Sequence, residues 1–170
     1  MYWNDSFITQ ASNTYFASVS VAVYWRDAFI GRTIGGVNEI PHFDTAEWED
    51  CLGMKHETVI RKWFEVRMRL CDVNLDVFKL YFALGKDGEI ITEGTQYYLV
   101  VSEGVGEDLS RFSYKLVLEP PVDSNLKKII YPHAYVKPTG EVVYRIGEQL
   151  VYPVTFVCLP VGGIVRKMAI

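Results

Sequence analysis

A two-residue rhythm of apolar side chains is the feature that most restricts what this chain can become. Phe64, Val66, Met68 and Leu70 alternate with Glu65, Arg67 and Arg69, and Tyr15, Ala17, Val19, Val21, Val23 and Trp25 fall on one side of a second such stretch. Successive side chains of an extended strand point to opposite faces, so each pattern predicts a strand with one face in a core and the other wet or held by a partner. In the second stretch the opposite face carries Ser18, Ser20 and Ala22, a smooth, small-residue surface. A strand from Ala28 to Arg32 is expected after an Arg26-Asp27 corner. Val37 to Glu47 reads as an edge or bulged strand, because Pro41 lacks a ladder donor. Turn signals divide the remainder into short strands near Ile90 to Thr92, Gln96 to Ser102, Arg111 to Glu119, Lys128 to Val136, Val142 to Arg145 and Leu150 to Leu159.

The period changes once. After Asp72 or Asn74, either of which can cap a helix, Leu75, Phe78, Tyr81 and Phe82 recur at three- and four-residue spacing, and Gly85 supplies a stop. The resulting helix, from about Val73 to Leu84, is marginal alone, so its stripe must pack on a sheet. Many short strands and one helix predict a mainly β fold: a β-sandwich or barrel with one short α-helix packed against it. No shift in composition, internal repeat or low-complexity tract divides the chain, and residues 1–170 are expected to form a single domain.

Two segments stand out from this pattern. Gly31-Arg32-Thr33-Ile34-Gly35-Gly36-Val37 reads as a glycine-punctuated turn, its glycines serving either positive φ in a tight corner or an assembly role. Ala46 to Glu57 has no clean period and reads as a long polar loop with something to bind. There Trp48, Leu52 and Met54 form an apolar anchor set inside a charged rim of Glu47, Glu49, Asp50, Lys55 and Glu57, the composition of a contact surface.

Enzymatic chemistry finds little support in the residues. His42, His56 and His133 lie far apart in sequence without an H-E-x-x-H or H-x-H setting. His42 and Asp44 share a strand face, but Cys51 with His42 or His56 as its base lacks any local signature. Cys51, Cys71 and Cys158 show no C-x-x-C spacing and read as free thiols rather than a disulfide or zinc framework. The Gly31 to Gly36 segment leads into a strand, so no helix N-terminus receives an anion. No catalytic residue, metal or cofactor is therefore expected. Seventeen basic against twenty-one acidic residues give a net charge of -4, the wrong sign for a chain that grips phosphates. No run of about eighteen apolar residues occurs, and the first residues lack the pattern of a signal peptide, which predicts a soluble chain made in a cytoplasm with no membrane insertion.

The succession of segments resembles the major tail tube proteins of long-tailed, siphophage-type bacteriophages. Gly31, Thr33, Gly35, Gly36 and Val37 are similar to the G-x-T-x-G-G-like turn of that family, with the acidic Glu39, Asp44 and Glu47 after it. Trp63 to Leu70 and Leu75 to Leu84 resemble its strand leading into a packed helix. Val154-Thr155-Phe156-Val157-Cys158-Leu159 resembles its final strand. The resemblance implies a structural virion protein that is not an enzyme. Its copies would form hexameric rings, with inner sheets joined into one barrel, that stack with other phage tail proteins into the tail tube, assembled in the host cytoplasm. Double-stranded DNA would pass through this conduit during ejection without tight binding.

Under that resemblance Trp48, Glu49, Asp50, Leu52, Met54 and Lys55 are the candidates for reaching the adjacent ring. Ser18, Ser20, Glu39, Asp44 and Glu47 are the candidates for the lumen, where carboxylates should outnumber Lys and Arg so that the duplex slides. Met1 to Ala11 depart from the family pattern in being long and aromatic, and contact between subunits is their candidate role. Two alternatives remain: a related ring-forming tube or tail-completion protein, such as the tube of a type VI secretion system, and a monomeric lipocalin-like barrel holding a small apolar ligand.

Overall fold

The computed structural model describes residues 20–71, 75–82, 89–100, 106, 108–143, 145 and 147–170. The expectations for residues 1–11, for the first part of the Tyr15 to Trp25 strand with Ser18, and for the helix signals Asp72, Asn74 and Gly85 lie outside these residues.

The chain runs through β1 (Ala22–Trp25), β2 (Ala28–Glu49), β3 (Lys55–Leu70), α1 (Leu75–Phe82), β4 (Glu89–Glu93) and β5 (Gln96–Val100), then a 3-10 turn at Leu109–Phe112. It ends in β6 (Tyr114–Glu119), β7 (Ile129–Pro138), β8 (Tyr152–Leu159) and β9 (Lys167–Met168). Neighbouring strands in the order β6, β1, β2, β3, β8, β7 pair antiparallel, and β7 pairs back onto β6. Six strands thus close on themselves as a barrel, and the expected mainly β architecture with one short helix is the one formed.

The two-residue rhythm sets the inside of this barrel. Val21, Val23 and Trp25 from β1 and its approach, Val66, Met68 and Leu70 from β3, and Val154, Phe156 and Cys158 from β8 are all buried. The indole N–H of Trp25 donates to the carbonyl of Ala134 at 2.9 Å, and its ring meets Tyr114 edge-on at 5.4 Å and Phe156 at 5.9 Å. Arg26 and Asp27 form the expected corner: both hold positive φ, 57° and 63°, between the paired residues Trp25 and Ala28. This two-residue connection follows the right-handed twist of the strands it joins.

Three expectations are corrected. The Gly31 to Val37 segment is not a turn but part of the 22-residue strand β2, at the place where β2 leaves β1 and takes up β3. Thr33 pairs with Leu70 and Val37 with Met68, so β2 carries extra residues there, and Gly35 and Gly36 at φ 76° and 90° absorb the bulge. The polar loop from Ala46 to Glu57 is mostly strand: β2 continues to Glu49 and β3 begins at Lys55. Among the described residues of 142–145, namely Val142, Val143 and Arg145, no strand forms, and Val142 packs on the core as irregular chain. In α1 Val77 and Leu80 are buried, and Phe78 of the expected stripe packs on the core, 5.7 Å from Tyr152; the side chains of Leu75, Tyr81 and Phe82 lie outside the described ones.

The helix touches β2, β7 and β8. Since β2 is not a neighbour of either β7 or β8 in the pairing order, α1 spans strands on different sides of the barrel rather than lying along one of them. Val77 and Leu80 are its deepest apolar anchors among the residues with described side chains, at 0% and 1% exposure. Leu80→Ala should destabilise the fold by about 2 to 5 kcal/mol, and Phe78→Ala by less because its ring is only partly covered. Chemical denaturation of the two variants checks the order.

Candidate assembly surface

Pro41 pairs with Phe64 at the last place where the β2–β3 ribbon touches the core. Beyond it the ribbon continues as a two-stranded arm. At about 3.3 Å per residue, the eight residues 42–49 carry it about 25 Å outward. A bulge between Asp44 and Thr45 re-aims the arm, with Ile60 as the extra residue. Among the described residues no strand pairs the outer edges of this arm, which matches the edge character expected from Pro41.

The tip is held by its own polar groups. The Asp50 carboxylate accepts hydrogen bonds from the backbone N–H groups of Leu52 and Met54, both at 2.9 Å, and Gly53 turns the chain at φ 76°. The second Asp50 oxygen lies 3.1 Å from Nε2 of His56, whose ring stacks on Trp48 with centroids 4.2 Å apart. The hydrogen bond to His56, then those from Met54 and Leu52, hold the Asp50 carboxyl below its ordinary pKa. The tip is therefore a preformed turn rather than a slack loop, and it presents Leu52 at 82%, Met54 at 59% and Trp48 at 52% exposure. Phe43, Val59 and Ile60 continue the exposed apolar surface along the arm. An apolar set of this kind outside a closed core marks a contact surface.

The six inter-ring candidates, Trp48, Glu49, Asp50, Leu52, Met54 and Lys55, thus meet at one tip. The lumen candidates do not share a surface. Ser20 is exposed at the approach to β1, and Asp44 and Glu47 sit on the arm. Glu39 is a correction: it is 7% exposed and points into the barrel, on the face of β2 shared with Val37. Its carboxylate accepts hydrogen bonds from the Tyr131 hydroxyl and the Arg166 guanidinium, so its charge is answered inside the chain. Burial first, and then the Glu39 charge, push the Tyr131 hydroxyl well above its ordinary pKa and keep it a donor. No local pattern marks this cluster, because its members are brought together from β2, β7 and the C-terminal segment.

The outer face of β3, β8 and β7 carries a second charged arrangement. Glu65, Arg67 and Arg69 alternate with the core residues of β3, Arg61 and Trp63 continue that face onto the arm, and Lys137 joins from β7 across Thr155. Arg61 lies 4.9 Å over the Trp63 ring, which stacks on His42 at 5.2 Å, and Arg67 pairs with Glu65 at 2.8 Å. A shallow hollow is lined by Glu65, Arg67, Lys137, Thr139, Gly140 and Thr155. The thiol of Cys158 is in the core, pushed up in pKa by burial, whereas Cys51 is exposed at the arm's tip.

No family model and no curated protein sequence matches this chain. Its fold is similar to that of a solved structure. A chain from a cryo-EM structure of an extracellular contractile injection system, the PVC sheath/tube terminator in its extended state, superposes with a TM-score of 0.52 at 11% identity, over 90% of this chain and 94% of that one. A chain from the PVC sheath-tube complex in its extended state reaches 0.49 at 10% identity, over 95% and 97%. The first of these shows that the fold of this chain is one found in an extracellular contractile injection system.

Two measurements check the geometry. Arg166→Met leaves the buried Glu39 carboxylate without its cation and should cost about 3 to 5 kcal/mol, whereas adding Glu39→Gln should recover much of the loss. Urea denaturation of the single and double variants reads this directly. Asp50→Ala should speed amide hydrogen exchange at Leu52 and Met54 while leaving the global unfolding midpoint in place, because the tip is outside the core. The same contact should fade in acid: with the folded pKa below the unfolded one, the ionised Asp50 holds the turn above the unfolded value and loses it as pH falls through the folded one.

Proposed function

We propose that this chain is a structural subunit of a phage-tail-like tube, in which copies associate side by side into rings and the β2–β3 arm of each copy reaches the adjacent ring. The observation that carries this reading is the arm itself: a long ribbon with a preformed tip and an exposed Trp48, Leu52 and Met54, projecting from a barrel whose own strands are already paired. A surface of that kind has no use within one copy. The resemblance to siphophage tail tube proteins supports hexameric rings and a conduit for double-stranded DNA, with the protein located in the virion tail beside other tail proteins. The fold shared with a sheath/tube terminator structure supports the same setting.

That neighbour also favours a second reading, a ring that ends a tube rather than extending one. The lipocalin-like alternative has less support, since Trp25, Tyr131 and Phe156 fill the barrel where a ligand would sit. Negative-stain images and light scattering of purified protein separate the three: stacked tubes, rings alone, or a monomer. Replacing residues 46–57 by a two-residue turn should leave a folded protein that forms rings or monomers but no long tubes. Normal tubes from that variant would overturn the inter-ring role of the arm.

A further inference from the structure

The charges of the arm and of the outer barrel face are opposite in sign, although both belong to one chain of net charge -4. On the arm, residues 45–57 hold Glu47, Glu49, Asp50 and Glu57 against Lys55. Glu47 and Glu57 are direct cross-strand partners, as are Glu49 and Lys55, so these four share one face of the ribbon. Two carboxylates directly opposite each other repel, and neighbours on a sheet are normally chosen to avoid this. The outer face of the barrel carries Arg67, Arg69 and Lys137, with Glu65 paired to Arg67; beside Arg69 lie Glu141 and the Arg145–Glu148 pair, while Arg61 stands opposite Asp44 at the root of the arm. Cations are thus in excess on that face and carboxylates in excess on the arm.

The two surfaces cannot meet within one copy. Both lie on the same β2–β3 ribbon, which leads away from the barrel for its whole outer length, so the arm's acidic face moves further from Arg67 and Arg69 with each residue toward the tip. Resting on the tube reading above, we infer that the acidic face of the arm in one copy seats on the cationic outer face of a second copy, with Glu47 and Glu57 directed at Arg69 and Lys137. A cation between the two carboxylates turns their repulsion into a shared attraction. The contact is head to tail, joining unlike surfaces, so it propagates from ring to ring instead of closing a pair.

Charge reversal tests this. An arm variant, Glu47→Lys with Glu57→Lys, and a face variant, Arg69→Glu with Lys137→Glu, are each compared with the wild-type chain by sedimentation and negative stain. Matched thermal melts check that both are folded. Each variant alone should lose about tenfold or more of its tube mass, the scale of one close charge pair. A mixture of the two variants should regain tubes, because every reversed arm then finds a reversed face and every native arm a native one. The chain carrying all four changes should also assemble, and raising the salt should weaken the wild-type tubes. Wild-type tubes with both variants unaffected would overturn this inference and leave the tube reading standing. So would loss of assembly that neither mixing nor combination restores, or a face variant that assembles normally and loses only adhesion to DNA. A wild-type chain that stays monomeric would overturn both readings.

Discussion

The ladder between β6 and β7 is the constraint on which the rest depends. Without it the pairing order would be an open sheet with β6 at one end, and the apolar faces of β1, β3 and β8 would have no opposite wall. With it, each of the six strands is paired on both sides somewhere along its length, and the residues Trp25, Tyr131, Tyr152 and Phe156 fill one shared interior. The hydrogen bond from the Trp25 indole to the Ala134 carbonyl ties β1 to β7, strands separated by β6 in the circuit. It also satisfies a polar group that burial would otherwise penalise. Closure leaves few edges, and among the described residues the β2–β3 arm and the two-stranded β4–β5 sheet retain both edge and apolar surface.

Barrel and arm use one pair of strands for two purposes. Near the barrel, β2 and β3 obey the alternation of a half-buried sheet, with Val66, Met68 and Leu70 inside and Arg67 and Arg69 outside. Past Phe64 neither face has a core to meet, and the ribbon keeps its shape through cross-strand pairs such as Trp48 on His56 and through the Asp50 turn. A bare two-stranded ribbon is marginal in water. Its retention of Trp48, Leu52 and Met54 at the surface fits a segment completed by a partner, which is the role proposed for it.

The cluster of Glu39, Tyr131 and Arg166 shows a different use of charge. A carboxylate inside a barrel costs desolvation, which is tolerable here because a guanidinium and a hydroxyl both reach it. Arg166 comes from the C-terminal segment whose next residues, Lys167 and Met168, pair with Ile130 and Ile129. Ion pair and short ladder together fasten that segment to the barrel.

Much of the architecture was legible from side-chain period alone. Alternation in 64–70 and 21–25 specified strands and their buried faces, and the change of spacing after Leu70 specified a helix, because these patterns follow from backbone geometry that every strand or helix obeys. Composition likewise set 46–57 apart from the core, since Trp48, Leu52 and Met54 stand among carboxylates, and all three are exposed. Only the tertiary structure decided that this segment is the end of a ribbon and not a loop, because its strand character comes from pairing β2 with β3 and from no period of its own. The same holds for Gly35 and Gly36, which read as a turn by residue type but act as a bulge because β2 changes partner there. Glu39 looked like a surface acid among Asp44 and Glu47 until the fold brought Arg166 to it from 127 positions away. Local sequence fixes which way a side chain alternates, whereas only long-range pairing fixes what it meets.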